Sequence, residues 1–200
     1  HYNAYDITVA NAGGWAWLSP GASDFPDLPP LKPYGHQTEY QSGLAAAAAS
    51  LGSYFRALHT QCGEHIDLAM QAYVSSFMEQ SFVHYTYSNK VASRLGKRLL
   101  YPWGIYQCKD GLIFLIVAEE DQWKRLVDLM GNPEWAEWEI FQGLDRAKNQ
   151  DVLKMQLDEW FKTQKVQELF KSGQEQRICF APVQTMEQLS ADKHLEAREF

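Results

Sequence analysis

The run from Glu39 to Leu58, with an alanine-rich centre at Ala45 to Ala49, restricts the fold of this chain more than any other feature. Ala is the strongest helix former, so the run is predicted to be one long helix whose small side chains let a neighbouring element pack closely. The alanines read as a packing face. A stop at Gln61-Cys62-Gly63 follows, Glu64 to Met70 alternates like a short strand, and Gln71 to Tyr87 resumes helical spacing. Upstream, Tyr5 to Ala12 reads as a strand ending in Gly13-Gly14, and Pro20-Gly21, Pro26 and Pro29-Pro30 then punctuate a surface connection to the long helix. Helix, strand, helix is α/β order.

Beyond the polar segment Ser88 to Arg98 the pattern changes. Trp103 to Cys108 and Leu112 to Val117 flank Lys109-Asp110-Gly111, and an Asp-Gly turn between two such runs predicts a β-hairpin. Glu119 to Met130 is amphipathic and ends at Gly131-Asn132-Pro133; Pro133 to Trp138 reads as a short second helix. Two more helical patterns cover Asn149 to Thr163 and Lys165 to Lys171. A breaker at Ser172-Gly173 separates them from an edge strand at Ile178 to Gln184, which contains Pro182. This second unit reads as α+β.

With 46% hydrophobic residues, the 200-residue chain has enough apolar material for one sizeable core or two small ones. A formal charge of -7 without any basic stripe argues against nucleic acid as a partner. The longest apolar runs, Gly43 to Ala49 and Leu112 to Ala118, are far short of the roughly 18 residues a membrane span needs. Cys62, Cys108 and Cys179 are scattered, which suggests neither a disulfide framework nor a zinc site and fits a reducing cytoplasm. His65, His84 and His194 are too dispersed for metal ligation, so no metal is expected. Trp135, Trp138 and Trp160 recur at helical spacing and read as core or dimer contacts. The chain starts at His1 and reads as a piece of a longer protein.

Several segments, taken in order, resemble CoA-transferase family III, the CaiB/BaiF-like group. Ala4-Tyr5-Asp6 with Gly13-Gly14 is similar to the family's strand and glycine pair, and Gly35-His36-Gln37-Thr38-Glu39-Tyr40-Gln41-Ser42-Gly43 to the loop and helix start that carry its catalytic carboxylate. Cys62-Gly63-Glu64-His65-Ile66-Asp67, Pro102-Trp103-Gly104 with Asp110-Gly111, Met130-Gly131-Asn132-Pro133, Ala181-Pro182-Val183 and the stretch from Asp192 to Phe200 continue the likeness. The resemblance implies an α/β fold: residues 1–100 from a Rossmann-like large domain and linker, 101–185 a small α+β domain, and 186–200 a return segment, all within an interlocked homodimer. It further implies that the N-terminal part of the large domain and the C-terminal tail lie outside this chain.

The resemblance places Glu39 as the catalytic carboxylate of a CoA transferase acting on an acyl-CoA and a carboxylic acid, with coenzyme A thioester as substrate and no other cofactor. A carboxylate suits this task because it attacks as a nucleophile and, once acylated, becomes a leaving group. Each step passes through an oxyanion, so N–H donors are expected from Gly35, His36, Gln37 and Thr38, with Gly13 and Gly14 folded against them. Family members carry Asp where this chain has Glu39, one methylene longer. Arg94-Leu95-Gly96-Lys97-Arg98 stands where formyl-CoA transferases have a glycine-rich loop, which argues against oxalate and formate and reads as a solvated loop. Two other readings stay open. One is an inactive CoA-binding relative. The other is an acyl-CoA racemase, which needs a His before the acid matching Asp6, where this chain has Tyr5.

Overall fold

The computed structural model describes residues 3–21 and 23–200, apart from the side chain of Glu79. The chain is mixed α and β with one small sheet and divides into two compact units, His1–Gly96 and Lys97–Phe200.

The first unit is helical among the described residues: α1 (Asp6–Ala12), a 3₁₀ turn at Ala16–Leu18, α2 (Gln37–Thr60), α3 (Met70–Ser76) and α4 (Glu79–Ser88). The strand expected at Tyr5 to Ala12 is α1 instead. Ile7 and Val9 suggested a strand, but Asp6, Val9 and Ala10 bury one helical face, and the Tyr5 N–H donates to Thr8 Oγ1 at 2.8 Å to close the first turn. The strand expected at Glu64 to Met70 is also absent. That segment is irregular and exposes Ile66, because alternation makes a strand only where a neighbour supplies a ladder. The long helix is present and extends beyond its expected bounds at both ends, yet it buries only Thr38 and Ser42. Its alanine face is therefore largely uncovered within the unit.

α1 packs on α3 through Gly13, where a Cβ would meet Val74 Cγ1 at 2.6 Å. Trp15 and Tyr73 stand edge-on to Phe77 in the same small core. Arg94, expected to lie in a solvated loop, is instead built in. Arg94 is 8% exposed and donates to Leu28 O at 2.5 Å, while the Ser23 N–H donates to Arg94 O at 2.7 Å. Two segments far apart in sequence are thereby joined.

The second unit carries β1 (Trp103–Gln107), β2 (Leu112–Ile116) and β3 (Cys179–Pro182) in one antiparallel sheet of order β1-β2-β3. The hairpin pairs Gln107 with Leu112, as the Asp-Gly turn predicts. Asp110 does more than turn the chain: its Oδ1 accepts from the Val166 N–H at 2.8 Å and so caps a distant helix. Alternation in β2 points Ile113 and Leu115 inward, both fully buried. Helices α5 (Glu120–Leu129), α7 (Gln150–Phe161) and α8 (Val166–Gln176) contribute Trp123, Leu126, Leu153, Leu157, Phe161 and Leu169 to the same core. The short α6 (Asp145–Lys148) brings in Arg146, which pairs with Glu120 and lies 4.8 Å over the Trp123 ring. The short helix expected at Pro133 to Trp138 is a 3₁₀ turn, Glu134–Glu137. Residues 186–200 form α9 (Met186–Ser190) and α10 (Lys193–Ala197).

Ser172-Gly173 does not break the chain, because α8 runs through it to Gln176. Gly173 is instead a packing notch: a Cβ there would stand 2.5 Å from Phe180 Cδ2 and 3.1 Å from Ile178 O. Gly173→Ala is expected to destabilise the protein by about 1–3 kcal/mol through overpacking, although helix propensity by itself would favour Ala by roughly 1 kcal/mol. Denaturant titration of the variant checks the sign.

Candidate active site

The start of α2 is where the first unit concentrates its buried polar chemistry. Pro29, Pro30 and Pro33 stiffen the approach, and Gly35 takes φ +72°, a left-handed turn that glycine adopts without strain. His36 is the N-cap, so Gln37, Thr38 and Glu39 form the first turn.

His36 makes no side-chain cap bond. The capping group arrives instead from α1. Asp6 Oδ1 accepts from the Thr38 N–H at 3.0 Å and from Thr38 Oγ1 at 2.7 Å, while Oδ2 accepts from Lys32 Nζ at 2.7 Å. Thr38 is fully buried and Asp6 is 6% exposed. Burial alone would push the Asp6 carboxyl up, but the bonds from Lys32 and from the Thr38 side chain and backbone outweigh it and hold the pKa at about 2. Asp6 is a fixed negative charge at the positive end of a 24-residue helix. Lys32 Nζ donates further to Pro33 O at 2.9 Å and Gly35 O at 2.5 Å. One turn deeper, Ser42 Oγ donates to Thr38 O at 2.6 Å.

Glu39 projects outward from this buried base. Its side chain is 45% exposed, and Oε2 lies 3.1 Å from His36 Nδ1. Among the described residues, the N–H groups of Gln37 and Glu39 have no protein acceptor, which leaves two donors beside the carboxylate.

The expected donor set is therefore brought together only in part. Gly35, His36 and Gln37 flank Glu39, but the N–H and hydroxyl of Thr38 are both committed to Asp6. Gly13 and Gly14 do not fold against Glu39. Their N–H groups bond Val9 O at 2.8 Å and Asn11 O at 3.2 Å, closing the C-terminal end of α1. Asp6 meets Thr38 at the other end of that seven-residue helix, about 10 Å away at 1.5 Å per residue. The sequence reading missed Lys32 altogether. A lysine between prolines carries no local signal, and its partner Asp6 lies 26 positions away.

The chain belongs to CoA-transferase family III, whose family description matches residues 1–200. Among its relatives is an L-carnitine CoA-transferase of Proteus sp. (strain LE138), 25% identical over 96% of this chain and 48% of that protein. An acetyl-CoA:oxalate CoA-transferase of Acetobacter aceti is 28% identical over 79% of this chain and 41% of that protein. The crystal structure of a CaiB/BaiF family protein from Brucella suis matches with a TM-score of 0.78 at 25% identity, covering 98% of this chain and 51% of that one. A hypothetical protein from Mycobacterium tuberculosis shares the fold with a TM-score of 0.81 at 16% identity, covering 99% of this chain and 52% of that one. The chain thus spans about half the length of the relatives it matches. No helix among the described residues is long and apolar enough to cross a membrane.

Proposed function

We propose that the protein containing this chain transfers coenzyme A between an acyl-CoA and a carboxylic acid, with Glu39 as the covalent nucleophile. The observation that carries this reading is the exposed Glu39 carboxylate in the first turn of α2, above a buried Asp6–Thr38 anchor and beside two uncommitted N–H donors. A Glu39 oxygen attacks the thioester carbonyl, the C–S bond breaks, and CoA thiolate leaves a mixed anhydride on Glu39. The thiolate then attacks the glutamyl carbonyl and expels the donor acid, which leaves a Glu39–CoA thioester. The incoming acid attacks that thioester, CoA leaves once more, and its attack on the acyl carbonyl of the new anhydride yields the product acyl-CoA and free Glu39. Every bond made is matched by one broken, and no net proton transfer is required. The N–H groups of Gln37 and Glu39 are suited to stabilise the oxyanions.

The racemase reading is disfavoured by Asp6. A residue that removes and returns an α-proton needs a pKa near the working pH and an oxygen free to reach substrate. Asp6 is held at about 2, with both oxygens engaged. On the transferase reading the likeness also carries the Rossmann-like large domain for residues 1–100, the small domain for 101–185, the return segment 186–200, an interlocked homodimer and a cytoplasmic setting.

The test is mass spectrometry of the full-length protein incubated with a panel of acyl-CoAs and trapped with borohydride or hydroxylamine. A modification mapped to Glu39 is expected. Solvent deuterium at the substrate α-carbon without a mark on Glu39 would support racemisation instead, and CoA binding with neither signal would support an inactive relative.

A further inference from the structure

Lys32 has three N–H donors, and all three have an acceptor: Asp6 Oδ2 on α1, and the backbone carbonyls of Pro33 and Gly35. The ammonium therefore sits at the centre of the turn that delivers the chain into α2. It grips that turn one residue before the His36 cap, and through Asp6 it reaches the Thr38 N–H inside the helix. Glu39 is the next residue. The side chain of Lys32 is 30% exposed, and its head is held by this polar cage.

We infer that Lys32 is a positioning residue that sets where α2 begins and hence where the Glu39 carboxylate stands. The effect on turnover rests on the reaction proposed above for Glu39; the anchoring itself does not. Without the ammonium, Gly35 O loses its donor and Asp6 keeps only its Thr38 bonds, so the cap and first turn can shift together. A displacement of about 1 Å at a reacting group costs roughly a hundredfold in rate. An Arg at this position keeps the charge, but its planar fork cannot serve three acceptors arranged around one nitrogen.

The experiment compares full-length wild type with Lys32→Met and Lys32→Arg in three measurements: steady-state kinetics, the rate of adduct formation on Glu39, and residue-resolved amide exchange. Met keeps a long stem and removes the donors. In Lys32→Met, kcat and the adduct rate are expected to fall about 10- to 100-fold with KM changed less than about threefold, and Lys32→Arg to fall between. Exchange at the bonded amides of Thr38 and Tyr40 is expected to quicken at least about tenfold while residues 50–58 of α2 keep the wild-type rate. Unchanged exchange at Thr38 and Tyr40 would overturn the inference, and so would faster exchange along the whole of α2 in step with a loss of global stability. Local loosening with undiminished kcat would overturn the positioning role. Local loosening in a protein whose wild type shows no transfer would support the anchoring and sink only the reaction assigned to Glu39.

Discussion

Glu39→Gln in the full-length protein is expected to abolish CoA transfer, with turnover reduced by about 10⁴-fold or more, the scale seen when a covalent nucleophile is removed. The amide keeps the size and the first-turn position but neither attacks a thioester nor forms the anhydride. Stability is expected to change by about 1 kcal/mol or less, because the side chain is 45% exposed and loses only its dipole interaction and the His36 contact. The adduct assay should lose its signal while denaturation curves nearly superimpose. Retained transfer would remove Glu39 from the mechanism. Glu39→Asp separates chemistry from reach, since it keeps the carboxylate and withdraws it by one methylene. It should form the adduct up to about a hundredfold more slowly, the cost of misplacing a reacting group by about 1 Å.

Asp6→Ala is expected to have the largest effect on folding. It removes the acceptor for the buried Thr38 N–H and for one Lys32 donor, and leaves the Thr38 hydroxyl only its longer 3.3 Å bond to the Asp6 backbone carbonyl. Breaking a buried charged pair costs about 3–5 kcal/mol. Because Lys32 is 30% exposed and can turn to water, about 2–4 kcal/mol is expected here. Folding lowers the Asp6 pKa from 3.8 to about 2, so between those values the unfolded chain binds more protons than the folded one. The stabilisation is therefore whole above about pH 4 and fades as pH falls through about 2. Asp6→Asn should lose that acid-dependent component. Chemical denaturation of wild type and Asp6→Asn at pH 7 and pH 3 checks both: the gap between the two proteins must narrow at the lower pH.

The order of segments was enough to identify the family from the sequence, because that likeness rests on residue types and spacing alone. The hairpin around Asp110-Gly111 and the long helix were legible for the same reason, since turn chemistry and alanine propensity act within a few residues. The position of Glu39 in the first turn of α2 followed from that helix start. Other features depended on partners the sequence does not place. Tyr5 to Ala12 alternates like a strand, yet α1 forms because Val9 and Ala10 find cover on a helical face. Gly173 has the look of a breaker, yet it lies inside α8, at a point where Phe180 leaves no room for a Cβ. The assembly at the base of the candidate site was decided in the same way. Lys32 and Thr38 lie 26 and 32 positions from Asp6, and no periodicity links them to it. Only the packing of α1 beside the turn into α2 supplies the buried setting in which a lysine and an aspartate fix the end of a helix, because there each unpaired donor or acceptor would be costly.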